Sequence, residues 1–167
     1  MITSPIIFTK KNPDNPLLEV LVESNSDKYE IIWYHWPHDG FMPVEDYEPV
    51  IVVYSKKQIK VVITRSAWKF KPHNIDNTLS NPLSVLFKDD FHHYMIRTEE
   101  NAVDFDKIIG STQLEQEEYQ SKIKDISPSA IDLKFRTGWG HITNYQVFPH
   151  DDPADVAMQY YRAYCEE

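Results

Sequence analysis

Hydrophobic and polar positions alternate along most of the chain with the period of a strand, and a helical period takes over only late. A turn cluster, Asn12-Pro13-Asp14-Asn15-Pro16, leads into 17–22, which reads as a strand. Ser24-Asn25-Ser26-Asp27 then turns the chain into a second strand over 29–34. Trp36-Pro37 breaks that strand, because Pro37 has no N–H for a ladder and restricts the residue before it. His38-Asp39-Gly40 reads as a turn. After Pro43 the chain is extended again, and 50–54 (Val-Ile-Val-Val-Tyr) has the β-branched richness of a buried strand. Ser55-Lys56-Lys57 turns it into 58–64, a second hairpin. Trp68 and Phe70 flank Lys69 at period two, so that strand runs on or resumes there, whereas 72–82 is polar and loop-like.

The apolar run 83–87 fits a strand or a short buried helix. The segment 92–97 reads as a strand with His93, Met95 and Arg97 on one face. Three helices are expected after it. The first runs over 98–109, capped by Thr98 and stopped by Gly110. The second runs over 112–126, opened by a Thr112/Glu115 capping box and carrying Leu114, Tyr119, Ile123 and Ile126. The third begins at Asp152 with Pro153 in its first position and has Val156, Tyr160, Ala163 and Tyr164 as its stripe. Between the second and third helices, 131–136 and 141–148 read as strands joined by Thr137-Gly138-Trp139-Gly140. No alternating strand–helix–strand order occurs, which argues against a doubly wound parallel sheet. The expectation is a mainly β chain, α+β by content. It would form one domain over 1–167, an antiparallel β-sandwich with about three peripheral helices, the last at the C-terminus.

Composition agrees with a packed domain: 167 residues, 41% hydrophobic and 13% aromatic, suffice for a core without disulfides. The net charge of −9 argues against a nucleic-acid partner, which needs clustered Lys and Arg. The lysines at 56, 57, 60, 69 and 71 form only small groups suited to a solvated strand edge. A single cysteine, Cys165, rules out a disulfide within the chain and is expected to be a half-buried helix residue. The longest apolar run, 50–54, is too short to span a membrane, and the first residues carry no signal pattern. A reduced, cytoplasmic setting follows as an expectation.

The candidate chemistry sits where strand-like segments meet, between 29 and 64. If the chain is extended, Asp46 and Glu48 point to one face and Glu45 to the other. Two adjacent carboxylates repel unless a cation or a proton lies between them. A divalent metal (Mn, Ca, Mg or Zn) would suit oxygen ligands joined by imidazole, with His38 and Asp39 on the preceding turn able to reach the same point. The alternative is a solvated acidic loop. His93 is a candidate metal ligand or catalytic base, or else a strand histidine satisfied by a carbonyl. Glu45, Tyr47 and Arg97 are candidate ligand contacts. His35, His73, His141 and His150 read as structural, and Trp33, Tyr34, Trp36, Phe41 and Tyr47 as core. The chain has no nucleophile elbow, phosphate-binding glycine loop, dinucleotide fingerprint or zinc-type cysteine pair.

His38 followed by Asp46-Tyr47-Glu48 and the strand 49–54 resembles the signature of the necrosis-inducing NPP1-type (NLP) proteins and their Vps62-related relatives. The resemblance implies a compact antiparallel β-sandwich holding a divalent metal in an acidic pocket. It matches Asp46 and Glu48 to the metal-binding pair and His93 to a later strand histidine. Tyr47 stands where the family has tryptophan, and Glu45 where it has histidine. Three functions follow as expectations: binding of a small polar ligand such as a sugar or lipid head group, metal-assisted hydrolysis with His93 or Glu45 as base, or a non-catalytic interaction domain with a solvated acidic loop. The oligomeric state is left open.

Overall fold

The computed structural model describes residues 6–9, 14–25, 27–40, 44–66, 69–74, 84–87, 94–96, 103–104, 107, 118, 120–137 and 151–165. Nine strands fall among them: β1 (Ile6–Thr9), β2 (Glu19–Asn25), β3 (Tyr29–Trp36), β4 (Asp46–Ser55), β5 (Gln58–Ser66), β6 (Lys69–Asn74), β7 (Ser84–Phe87), β8 (Tyr94–Ile96) and β9 (Ile123–Asp125). A 3-10 turn (Pro128–Ala130) and two helices, α1 (Leu133–Arg136) and α2 (Pro153–Tyr164), follow.

Six strands form one open, mixed sheet in the order β6-β5-β4-β3-β2-β9. β2 to β6 are a simple antiparallel meander, as the two predicted hairpins require, and β9 adds in parallel beside β2. The β4–β5 connection is tight, and both of its central residues, Lys56 and Lys57, take positive φ (51° and 66°). A two-residue hairpin needs that handedness, although side chains other than glycine or asparagine adopt it at a cost. A second, three-stranded sheet has the order β1-β7-β8, with β7 pairing β1 in parallel and β8 antiparallel.

The large sheet is buried on both sides at its centre, and every residue of β3 is buried. Val20, Ile32, Tyr34, Trp36, Val50, Val52, Tyr54 and Val62 pack on one face. Leu21, Tyr29, Ile31, Trp33, Ile51, Val53, Val61 and Ile63 pack on the other, against Ile131, Phe135, Val156 and Ala157. Burial on both faces explains why 50–54 reads as a continuous apolar run and not as an alternation. The second face is covered by α2, whose start follows the sequence signals closely. The Asp152 carboxylate caps it by accepting from the Ala154 N–H at 2.9 Å, and Pro153 takes the first helical position.

The mainly β content and the C-terminal helix are as expected, but three segments differ. The helix expected over 112–126 gives way at its end to β9, where the Val20 N–H donates to the Lys122 carbonyl at 2.8 Å and the Ile126 N–H to that of Val22 at 2.9 Å. Ile123 and Ile126 are three apart, which is one face of a helix but opposite faces of an extended chain. Here Ile123 packs with the first core group and Ile126 with the second. The strand expected over 131–136 is instead a helical turn, α1. Ile131 and Phe135, four apart, are buried, while Leu133 between them is 54% exposed. The strand after Phe70 runs on through Pro72 as β6, where proline is tolerated because this strand ends the row. For 83–87, where the sequence leaves a strand and a short helix both open, the structure takes the strand, β7. The expected strand over 141–148, and most of the helices over 98–109 and 112–126, lie outside the described residues, although Val103, Asp104, Lys107, Glu118 and Gln120 have helical backbone. Among the described residues no helix is long and apolar enough to cross a membrane.

Candidate functional site

The first residues of β4 bring carboxylates together. Asp46 pairs with Trp36 and Glu48 with Tyr34 on β3, and alternation puts both acids on the face that carries Val50, Val52 and Tyr54. Both are half-buried, as is Asp39 on the turn after β3. Burial pushes the Glu48 carboxyl well above the usual carboxylate range. The negative charge of Asp46, and then that of Asp39, push it the same way, as does a hydrogen bond with Asp46; Arg65 pulls against them without cancelling them. Glu48 is thereby biased toward its protonated form beside an acceptor carboxylate. Such a pair offers one O–H donor and several acceptor lone pairs from adjacent positions of one strand.

His38 is fixed through its backbone: its N–H donates to Asn15 Oδ1 and its carbonyl accepts from Asn15 Nδ2, each at 3.1 Å. Its Nδ1 is buried with no hydrogen-bond partner among the described residues. No group of three or more His, Cys, Asp or Glu side chains among the described residues is arranged to hold a metal. His93 and Arg97 lie outside the described residues.

Glu45 and Tyr47 face the other way from Asp46 and Glu48. Tyr47 stacks on His35 (centroids 4.0 Å apart, 7° between planes), and the His35 ring is bracketed by Glu19 Oε2 at Nδ1 (2.7 Å) and Glu45 Oε1 at Nε2 (3.1 Å). Lys124 reaches Glu19 from β9 at 3.3 Å. Burial works to raise the Glu19 carboxyl, but the hydrogen bonds from His35 and Lys124 outweigh it and leave it below the ordinary value. Burial, with Glu45, Glu19 and Asp132 near, pushes the Tyr47 hydroxyl up to about 12. His35 is buried, as a packing residue should be, and is also the junction of this polar group.

Further along the same face Glu23, at 2% exposure, meets the guanidinium of Arg136 through both carboxylate oxygens. Arg136 also donates through Nε and Nη2 to Asp152, each at 2.7 Å, and through Nη1 to the Pro128 carbonyl at 3.2 Å. The Trp33 Nε1–H donates to Glu23 at 2.8 Å, and the Trp33 ring lies near the guanidiniums of both Arg136 (5.5 Å) and Arg65 (5.8 Å). Arg65 in turn donates to the carbonyls of Phe135 and Tyr47. Burial opposes the charge on Arg136, but its carboxylate partners more than compensate, so the cation is held firmly.

No family model, curated protein or solved structure matches this chain. The meaning of these groups rests on their own chemistry. The Glu23–Arg136–Asp152 network joins the sheet to α1 and to the N-terminus of α2, with donors and acceptors matched, and reads as a tie between elements. Sequence reasoning passed over it, although one signal was present: Glu23 shares a strand face with Leu21, so a charge stands at a core-facing position. A charge so placed requires a counter-charge from elsewhere in the chain. The Asp46–Glu48 pair is the opposite case, since its members repel unless a proton or a cation lies between them. Cys165 caps the C-terminal end of α2, half-buried, and burial raises its thiol.

Proposed function

We propose that this chain is a small binding domain whose polar site is the Asp46–Glu48 pair, with Asp39 at its margin, and whose ligand is a neutral hydroxyl-bearing group such as a sugar. The observation that carries the proposal is the placing of two half-buried acids, Asp46 and Glu48, on one face of β4, where burial and the neighbouring charge favour the protonated form of Glu48. Like-charged, half-buried acids on a rigid central strand are costly to folding, and perturbed acids of this kind gather at functional sites. A neutral acid next to a carboxylate matches an alcohol, which both donates and accepts.

A divalent cation is the second reading, in keeping with the resemblance of the Asp46-Tyr47-Glu48 segment to the NLP proteins. It would require Glu48 to give up its proton and water to complete the coordination, because the pair belongs to no metal-holding group of three or more His, Cys, Asp or Glu side chains among the described residues. In either reading the six-stranded sheet would form one layer of a sandwich. What supports that is the complete burial of Val20, Val50 and Val52 on the face opposite α2. A cytoplasmic setting with Cys165 reduced belongs to the same proposal.

The two readings part on pH. Melting of the wild-type chain would be followed with a panel of sugars and lipid head groups, and separately with EDTA, Mn, Ca, Mg and Zn. A hydroxyl ligand raises the melting temperature most below the Glu48 titration and loses its effect as pH rises through it. A cation behaves in the reverse sense. Either effect disappears in Asp46→Asn. A panel in which no ligand and no ion shifts the wild type at any pH removes both readings.

A further inference from the structure

The imidazole of His35 faces a carboxylate at each ring nitrogen, Glu19 at 2.7 Å and Glu45 at 3.1 Å. A neutral imidazole has one N–H and one lone pair, so it serves only one of two acceptors and turns its lone pair on the other. Both contacts are satisfied together only when both nitrogens carry protons. The ring is held in place between the two carboxylates. The side chain is 8% exposed, pinned flat against Tyr47, and Tyr47 is itself backed by Phe135 at 4.4 Å. The charged and titratable groups around it are Glu19 from β2, Glu45 and Tyr47 from the start of β4, Lys124 from β9, Asp132 beside α1, and Arg65 from β5, which donates to the Tyr47 carbonyl at 3.1 Å.

We propose that His35 is a proton-operated latch: with both ring nitrogens protonated it ties Glu45 to Glu19 across the end of the large sheet, and with one proton lost it lets Glu45 go. The two carboxylates are unequal, which settles which one leaves. Glu19 makes the shorter contact, its side chain is 24% exposed, and Lys124 holds its other oxygen. Glu45 makes the longer contact and its side chain is 56% exposed. Water receives Glu45 easily, while Glu19 keeps the remaining Nδ1–H. The residue released immediately precedes Asp46, so the latch governs how firmly the start of β4 is seated. It stands whether or not the Asp46–Glu48 pair binds anything, since it rests on the other face.

The sign is fixed by the proton. The bridge contributes stability while both nitrogens are protonated, and that share is lost as pH rises and the second proton leaves. The test is 15N NMR of the imidazoles in the full chain at about pH 5 and about pH 9, which bracket ordinary histidine titration. His35→Gln assigns the signal; if that variant does not fold, Glu45→Gln assigns it by perturbing this ring alone. Two protonated nitrogens at the acid end and a proton on Nδ1 alone at the basic end are expected. A single proton at both ends, or an Nε2–H ring at the basic end, overturns the proposal. Melting supplies the second readout. Glu45→Gln lowers the melting temperature by about 1–3 °C at the acid end and leaves it unchanged at the basic end. An equal loss at both ends assigns Glu45 a purely structural contact and overturns the latch.

Discussion

Glu23 and Glu48 are both acids on strands of the same sheet, and their surroundings could hardly differ more. Glu23 lies on the face under α2, where two arms of Arg136 and the Trp33 indole N–H meet its two oxygens. Glu48 lies on the opposite face, where its nearest charged neighbours include two more carboxylates, Asp46 and Asp39. The first acid is desolvated and met by a counter-charge. The second is desolvated among like charges, which push its carboxyl up. Burial alone therefore does not separate the two acids; the sign of the neighbouring charge does. Around Glu23 every partner joins one structural element to another. Around Glu48 the arrangement opposes folding at neutral pH, which makes it the better candidate for a site.

The contrast can be broken most forcefully at Arg136. Arg136→Met leaves Glu23 buried without its counter-charge and Asp152 without its partner, and should cost about 3–5 kcal/mol, read as a fall in the denaturation midpoint with an unchanged slope. A much smaller loss would mean that water reaches Glu23 and that the network is no tie. Trp33→Phe keeps the ring and removes only the N–H to Glu23; about 1–3 kcal/mol is expected, the range for a hydrogen bond to a charged acceptor, again by chemical denaturation.

Glu48→Gln should act in the opposite direction. The raised carboxyl contributes stability that is fully present below the ordinary glutamate range and is lost as pH rises through its folded titration. The amide cannot ionise, so the variant should match the wild type in acid and exceed it by on the order of 1 kcal/mol above that titration, seen as crossing curves of melting temperature against pH. Destabilisation at every pH would place Glu48 with Glu23 as a structural acid. Asp39→Asn removes the more weakly acting of the two like charges, so it should shift the same curve in the same direction by a few tenths of a kcal/mol. An Asp39→Asn effect larger than that of Glu48→Gln would move the centre of the site onto the turn after β3.

Much of the sheet was legible in the sequence, because period-two alternation and proline-marked turns are local signals. The strands around 17–22, 29–34, 50–54 and 58–64, the start of α2 at Asp152-Pro153, and the shared face of Asp46 and Glu48 could all be read within a few neighbouring residues. Errors fell where two periods compete. Ile123 and Ile126 fit a helix face as well as two faces of a strand, and Ile131, Leu133 and Phe135 fit a strand as well as a helical turn. In both places the pairing of β9 with β2 and the packing beneath α2 chose between conformations of similar local preference.

The sequence by itself determined that the chain would be mainly β, which residues would line its central strands, and that two acids would stand side by side on one of them. Those outcomes depend on interactions within a strand or across one hairpin. Only the tertiary structure decided that Arg136 would neutralise an acid 113 positions away, and that His35 would sit between two carboxylates. It likewise decided that Glu48 would be left among like charges. Electrostatic partners are set by which elements meet through space, and the free energy that brings those elements together comes mainly from the apolar core. The pairing of charges follows from that packing, so a local pattern does not carry it.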